Sequence, residues 1–271
     1  MNIRVPDTLT IENSEKYILS IRLCPDGLSF AGYLPSVKDS FFYGETVLDR
    51  TKSYEKALED IFQEYPFFLY TYKKVYIVSA NRHYTLVPEI VFLEKQKDDL
   101  MSFVFSSPEE KVLHQLQKDL DIEVVFSIHT DIYIYLSHTL LVQPQFVHSI
   151  TPILSLCRKR NLSCFPKQLY VMMRENIMDA VCFDKGALLF ANSFNCNGSG
   201  DIVYYILYIW KQAGMDQMKD ELFLYTNPSL FHELKEILQN YLLKVKSFDA
   251  AIFPDETEIP LDVKALFECE L

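Results

Sequence analysis

A glycine-containing loop in the second half of the chain has a composition suited to binding an anion. Gly198, Ser199 and Gly200 come directly before an apolar stretch, residues 202–210, that we expect to be helical. Backbone N–H groups at the start of a helix point outward and bind phosphate or carboxylate groups. The same residues equally suit a loop in which the side chain of Ser199 or Asp201 caps the helix. The loop is therefore either an anion site at Gly198 and Gly200 or a helix cap.

A second glycine follows an aspartate near the start of the chain. Pro25, Asp26 and Gly27 separate two apolar stretches, residues 17–23 and 28–34. Asp-Gly is common in tight turns because glycine adopts positive φ angles without steric cost. These residues therefore predict a hairpin between two antiparallel strands.

The remaining reactive side chains do not form known catalytic or metal-binding motifs. The six histidines lack the H-E-x-x-H spacing of a zinc site, and no serine lies in a G-x-S-x-G motif. The six cysteines lack C-x-x-C spacing, and most lie in apolar stretches, as buried free thiols do. Cys157 and Cys164 would pair only under oxidation. We expect no metal site, and we expect free thiols in a reducing compartment.

Composition narrows the classes of function. The chain has 271 residues and a formal net charge of −11, which argues against nucleic acid because phosphates attract clustered Lys and Arg. Only 7 residues are glycine, whereas phosphate-binding loops use several. The first residues lack the basic and apolar regions of a signal peptide, and the longest apolar run, residues 202–210, is too short to cross a bilayer. We predict a cytoplasmic protein that does not insert directly into a membrane.

The predicted elements follow the same order in both halves of the chain: strand, strand, strand, helix, strand, helix, strand. In the first half we expect strands at residues 17–23, 28–34, 40–46, 75–79, 84–87, 124–127 and 146–148. We expect helices there at residues 53–65, 107–120 and 151–160, and a short helix after residue 131. In the second half we expect strands at residues 169–173, 178–183, 187–194, 222–225 and 244–246, and helices at 201–213, 228–242 and 260–267. This order predicts an α/β fold with two lobes, residues 1–164 and 165–271, each a mixed sheet flanked by helices, with a cleft between them.

Three stretches carry a likeness to a known fold. They are YTLVP at residues 84–88 with Phe92, DKGALLFANSF at residues 184–194, and DIVYYIL at residues 201–207 with the WKQ that follows. Together they resemble an uncharacterised Bacteroidetes family with an actin-like ATPase fold, within the actin, sugar-kinase and chaperone superfamily. A more distant likeness is to cytoplasmic proteins of pilus assembly and type II secretion. The resemblance covers most of the chain and implies a two-lobed, ribonuclease H-like duplicated fold, but the family supplies no established activity.

The resemblance also implies where an ATPase of this superfamily would hold its nucleotide. Each lobe would present a glycine-bearing hairpin to the phosphates, and the first hairpin matches residues 24–27. There Asp26 would hold a hydrated Mg²⁺ and Gly27 would lie at the phosphates. Pro25, however, removes one N–H that a phosphate loop uses.

The other two parts of such a site depart from the pattern of the superfamily. The second hairpin matches residues 174–179, which contain no glycine and include Glu175, whose charge would repel phosphate. In ATPases of the superfamily, a Gly-Gly step lies against adenosine. The corresponding position in this chain is residues 226–229, which also contain no glycine. ATP hydrolysis is therefore not expected.

We predict a pseudo-ATPase that needs no cofactor and works by binding another protein, whose identity the sequence does not give. Its partner surface would include Tyr204, Tyr205, Tyr208 and Trp210, unless these rings pack on their own sheet. The sequence also allows the soluble protein to bind a partner that is itself in the membrane.

The alternative prediction is a protein that binds or hydrolyses ATP with Mg²⁺ at an unusual interlobe site. In that case Asp26, Gly27, Gly198 and Gly200 are the candidate binding residues.

Overall fold

The computed structural model describes residues 5–24, 27–35, 37–105, 110–174, 176–248 and 259–269. Within it the chain divides into two units, Met1–Ser149 and Ile150–Leu271.

The first unit contains a five-stranded mixed sheet and a second sheet of three strands. Its strands are β1 (Ile18–Cys24), β2 (Gly27–Leu34), β3 (Val37–Val47), β4 (Lys74–Ser79), β5 (Tyr84–Pro88), β6 (Glu110–Gln117), β7 (Ile122–His129) and β8 (Gln145–His148), and its helices are α1 (Tyr54–Glu64), α2 (Lys97–Val104) and α3 (Thr130–Thr139). The larger sheet has the order β3-β2-β1-β4-β8. Strands β1, β2 and β3 form consecutive antiparallel hairpins, whereas β4 and β8 continue the sheet in parallel with β1.

Helix α1 covers one face of the larger sheet because its apolar residues recur at helical spacing. Leu58 and Phe62 are buried in one cluster with Ile21 of β1. The Ser53 hydroxyl caps the helix by accepting a hydrogen bond from the N–H of Lys56 at 3.3 Å. Each fully buried side chain of this kind contributes about 1.5–3 kcal/mol, so the buried apolar face holds the helix on the sheet.

The three-stranded sheet, in the order β5-β7-β6, corrects one sequence-based prediction. We expected a helix over residues 107–120, but residues 110–117 form strand β6, and residues 106–109 lie outside the described residues. Apolar residues of this stretch do fit helical spacing. Pairing with β7 nevertheless makes this stretch a strand, because Val112 of β6 and Val125 of β7 are buried together beneath Met101 of α2.

The second unit repeats the topology of the larger sheet. Its strands are β9 (Gln168–Arg174), β10 (Ile177–Asp184), β11 (Ala187–Asn195), β12 (Glu221–Tyr225) and β13 (Val245–Ser247), and its helices are α4 (Ile150–Asn161), α5 (Ser199–Gln212), α6 (Pro228–Leu238) and α7 (Leu261–Cys269). The order β11-β10-β9-β12-β13 matches β3-β2-β1-β4-β8 position by position, and the strand directions match as well. This duplication confirms the predicted mixed sheets flanked by helices.

The boundary between the two units depends on which of them contains helix α4. It packs against α7 and β10, and its last residue, Asn161, is completely buried. The Asn161 side-chain amide donates to Gln168 Oε1 at 2.9 Å, and its carbonyl oxygen accepts from the N–H of Gly186 at 2.7 Å. The boundary expected after residue 164 assigns α4 to the first lobe, whereas these contacts make it part of the second unit, which begins at Ile150.

Candidate functional site

The first predicted phosphate hairpin joins β1 to β2. Pro25 and Asp26 lie outside the described residues, so the Mg²⁺ role expected for Asp26 stays a prediction. The strands on either side pair as expected, with Cys24 opposite Gly27.

Gly27 has a packing role in the described structure. A Cβ atom at this position would lie 2.3 Å from the carbonyl oxygen of Thr46, so only glycine lets β3 approach β2 this closely. The carbonyl oxygen of Gly27 accepts a hydrogen bond from the Tyr54 hydroxyl at 3.0 Å, which ties the start of α1 to the sheet. Burial raises the pKa of that hydroxyl, so Tyr54 remains a donor at neutral pH. These contacts account for Gly27 without a ligand.

The second predicted hairpin, between β9 and β10, is occupied by its own side chains. Arg174 donates two hydrogen bonds to the carboxylate of Asp179, from Nε to Oδ2 at 2.6 Å and from Nη2 to Oδ1 at 3.1 Å. The Ser193 hydroxyl donates a third bond to Asp179 Oδ1 at 2.5 Å. The Asp179 side chain is only 2% exposed. Bidentate, charge-assisted bonds of this kind are strong, so the arginine is held by Asp179 rather than turned toward an anion.

The corresponding hairpin of the first unit, between β1 and β2, has different side chains at these positions. Counted from the hairpin, Ser29 and its cross-strand partner Glu45 occupy the positions of Asp179 and Ser193 in the second unit. Cys24 stands where the second unit has its arginine. The duplicated frame therefore does not supply two matching phosphate hairpins.

The loop with Gly198 and Gly200 is the most open of the predicted sites. A Cβ atom on either glycine would meet nothing within 4 Å, so packing requires neither of them. The expected side-chain cap is wrong: Gly198 is the N-cap of α5, and Ser199 already lies within the helix. Asp201 instead accepts a hydrogen bond from the N–H of Asn197 at 2.8 Å, which closes the loop onto the first turn.

Residues at the predicted adenosine step form a helix cap. Asn227 Oδ1 accepts a hydrogen bond from the N–H of Leu230 at 2.9 Å, and Pro228 occupies the first position of α6. Both are preferred residues for a helix start. The side chain of Asn227 is thus committed to the helix.

Two of the cysteines, Cys157 and Cys182, are placed as unreactive thiols. Cys157 and Cys182 are buried, and burial raises the pKa of each thiol, that of Cys182 to about 12. Such thiols stay protonated at neutral pH and are poor nucleophiles. Across the described ranges, no group of three His, Cys, Asp or Glu side chains is placed to hold a metal ion.

The aromatic residues predicted on α5 separate into two groups. Trp210 is buried in the core of the second unit, and Tyr205 packs at its edge. Tyr204 is 63% exposed and Tyr208 is 48% exposed. The expectation that these rings pack on their own sheet therefore holds for Trp210 and Tyr205, and not for the other two.

Sequence motifs missed an apolar groove beside the three-stranded sheet. It encloses about 340 Å³. Its walls come from the end of β5, the turns that follow, and α2, and the groove is defined by these lining residues: Val87, Val91, Phe92, Leu93, Gln96, Lys97, Asp99, Leu100 and Phe103. Ile90 is 93% exposed next to it, and Phe103 on its wall is 90% exposed.

The floor of the groove is well anchored. The Phe92 ring lies 4.9 Å from the His114 ring on β6, measured between centroids. The N–H of Glu89 donates to the carbonyl oxygen of Asp121 at 2.8 Å, which fixes the chain where β5 ends. These contacts hold the turn that carries Ile90, and the buried side chain of Met101 holds α2, which carries Phe103.

The rim of the groove is mainly acidic. Lys97 and Asp99 line the groove, and the adjoining pocket is lined by Glu94, Lys95 and Asp98, so three acids stand against two lysines. Glu94 lies 4.0 Å from the ammonium of Lys97 and 3.6 Å from His114 Nε2. The groove thus combines exposed apolar side chains with a net negative border. The signal available in the sequence was the apolar run at residues 90–93 followed by a short acidic helix.

No helix within the described residues has both the length and the apolar character needed to cross a membrane.

Comparison with solved structures identifies the fold. A structure from Bacteroides thetaiotaomicron VPI-5482, described as a protein with an actin-like ATPase fold and unknown function, is 30% identical in sequence. It superposes with a TM-score of 0.84 and covers 96% of this chain and 99% of its own. The PilM-PilN type IV pilus biogenesis complex is 10% identical, has a TM-score of 0.53 and covers 92% of this chain and 96% of its own, a likeness of fold alone.

Comparison of the sequence with protein families gives the same result. No curated protein matches the sequence. Residues 6–245 match the family described as protein of unknown function, DUF3822. The chain therefore has the predicted two-lobed, actin-like ATPase fold and belongs to the DUF3822 family.

Proposed function

We propose that this chain is a non-catalytic, actin-like protein that binds another protein through the apolar groove of its first unit. The observation that carries the proposal is the exposure of Ile90 and Phe103 at 93% and 90%. Large apolar side chains grouped on an ordered, polar-rimmed surface are characteristic of protein interaction sites.

The energy available at the groove is sufficient for specific binding. Burying one large apolar side chain contributes about 1.5–3 kcal/mol, and about 1.4 kcal/mol changes an affinity tenfold. Ile90 and Phe103 alone would therefore supply a few powers of ten in affinity. Aromatic side chains in such positions are often the residues that dominate an interface.

Three features support a non-catalytic role. The second hairpin holds a closed Arg174–Asp179 pair, Gly27 is used for packing, and Asn227 caps a helix. The pilus biogenesis structure, which is similar in fold, is a complex of two proteins, and this supports a binding role. The free cysteines agree with the predicted cytoplasmic location.

The test is capture of a partner by matched variants. Phe103→Asp places a charge in the groove, whereas Phe165→Asp changes an equally exposed phenylalanine, 87% exposed, in the second unit. Tagged forms of both variants and the wild type are expressed in the native cell, and co-purifying proteins are quantified by mass spectrometry. We expect a stoichiometric protein that Phe165→Asp retains and Phe103→Asp loses. A partner retained equally by both variants would rule out the groove as its site.

A further inference from the structure

Helix α5 carries a second exposed surface that the groove does not explain. Asp201, Tyr204, Tyr208 and Lys211 are spaced at i, i+3, i+7 and i+10, so they lie along one stripe of the helix. Tyr204 and Tyr208 are exposed, as is Lys211, while Ile206 on the opposite side is completely buried. We call these four residues the α5 stripe.

The α5 stripe is self-complementary about its midpoint. Ile206 lies midway between Tyr204 and Tyr208, and also midway between Asp201 and Lys211. Two copies of the helix packed antiparallel about this point would bring each Asp201 beside the Lys211 of the other copy. The same rotation would bring each Tyr204 beside the other Tyr208. A twofold interface requires a surface of this kind, because the same patch must serve both copies.

The tyrosines of the stripe are held in place before any contact. The rings of Tyr204 and Tyr208 are stacked at 18°, with centroids 6.2 Å apart. Tyr204 also contacts Tyr205 at 5.3 Å, and Tyr205 stacks on Phe194 of β11 at 4.4 Å. This chain of rings ties the exposed pair to the sheet. Ordered aromatic side chains lose little conformational entropy when they are buried in an interface.

Strand β11, next to this ring chain, is also suited to meeting a like chain. It is an outer strand, with β10 as its neighbour in the described sheet, and its nine residues include no Asp, Glu, Lys, Arg or Pro. The equivalent outer strand of the first unit, β3, carries the exposed charged residue Glu45. Charges and proline are common protection against edge contacts, and β11 lacks both.

We propose that the α5 stripe, with the adjoining side of β11, is an interface between two copies of this chain arranged antiparallel. The distribution of charge favours a second copy of the chain as the partner at this surface. Each copy has a formal net charge of −11, so two copies can approach closely only where the local charge is balanced. The stripe has one acid and one base, placed to pair across the twofold axis, whereas the rim of the groove has excess acid and would repel a second copy.

The size of the surface sets the expected strength. Helix α5 has 14 residues and is therefore about 21 Å long. A contact between two such helices and their neighbouring strands falls at the small end of specific interfaces, which favours a reversible dimer. We expect mainly monomer at about 1 µM and mainly dimer at about 100 µM.

Sedimentation velocity of the full chain over that concentration range tests the proposal. Tyr204→Ala should raise the dimer dissociation constant at least about tenfold. Tyr241→Ala, which truncates an exposed tyrosine elsewhere in the second unit, should leave it unchanged. A wild-type chain that stays monomeric up to about 100 µM would overturn the proposal. A dimer that is equally insensitive to both substitutions would do so as well.

A charge-swap experiment tests the antiparallel arrangement. Lys211→Glu alone sets acid against acid in the dimer, and Asp201→Lys alone sets base against base. Each variant should therefore be monomeric by itself, with circular dichroism checking that it is folded. Mixed in equal amounts, the two variants restore opposite charges at both contacts, so a heterodimer should form. Failure of the mixture to associate while wild type dimerises would overturn the antiparallel arrangement.

Discussion

The two units use the same sheet but connect its last two strands in different ways. In the second unit, α6 alone connects β12 to β13. In the first unit, the chain leaves β4, builds β5, α2, β6 and β7, and only then forms α3 and enters β8. The apolar groove lies entirely in this additional segment. The segment that breaks the duplication therefore carries the candidate groove, whereas the duplicated frame of the second unit carries the α5 stripe.

A second comparison concerns charge. The groove in the first unit is bordered by excess acid, and the α5 stripe in the second unit is balanced. Two exposed surfaces on one acidic chain therefore favour different partners: a different protein with basic groups around an apolar segment for the groove, and a like chain for the stripe.

The largest effect on stability is expected at the hairpin where the units differ. Arg174→Ala leaves the carboxylate of Asp179 buried without its cation, which should lower the free energy of unfolding by about 3–5 kcal/mol. Cys24→Ala, at the corresponding position of the first unit, should cost about 1 kcal/mol. Urea denaturation measures both values. Equal losses would mean that the arginine pair is not what distinguishes the two hairpins.

The glycines of the two predicted sites should respond in opposite directions. Gly27→Ala forces a methyl group against the backbone of β3 and should cost about 1–3 kcal/mol. Gly200→Ala meets no atom and lies in the first turn of a helix, so it should stabilise the chain by about 0.5–1 kcal/mol. Thermal denaturation of the two variants compares them directly. Destabilisation by Gly200→Ala would show that the loop needs a backbone conformation that alanine does not adopt.

The smallest effect is expected from nucleotide. If both hairpins lack phosphate-binding function, millimolar ATP with Mg²⁺ should not shift the melting temperature. A true ligand at about 100 times its Kd would add about 2.7 kcal/mol, which thermal denaturation detects easily. A saturable shift that Gly200→Ala or Asp26→Ala removes would support the alternative prediction of an ATP site and contradict the pseudo-ATPase.

Much of the fold was predictable because its signals are local. The hairpin between β1 and β2 and the helices predicted at residues 53–65 and 228–242 all follow from short stretches of sequence. Strand β6 was not predictable in this way, because its apolar residues fit helical spacing and only pairing with β7 makes it a strand. Tertiary contacts of this kind lie outside any local window.

The candidate sites were less predictable than the fold. Arg174 and Asp179 are both visible in the sequence, but their ion pair follows from the register of β9 on β10. The groove was missed because exposed apolar residues such as Ile90 and Phe103 carry no periodic signal and read as ordinary core positions. Which apolar residues remain outside the core is decided by packing and not by composition.

Hydrogen–deuterium exchange on the complex with the co-purified partner tests the central claim most directly. If the partner occupies the groove, amides in residues 89–104 should exchange more slowly in the complex than in the free chain. Amides of the β9–β10 hairpin, at residues 174–177, should be unchanged in the same sample. Slower exchange at that hairpin, with no change in residues 89–104, would contradict the assignment of binding to the groove.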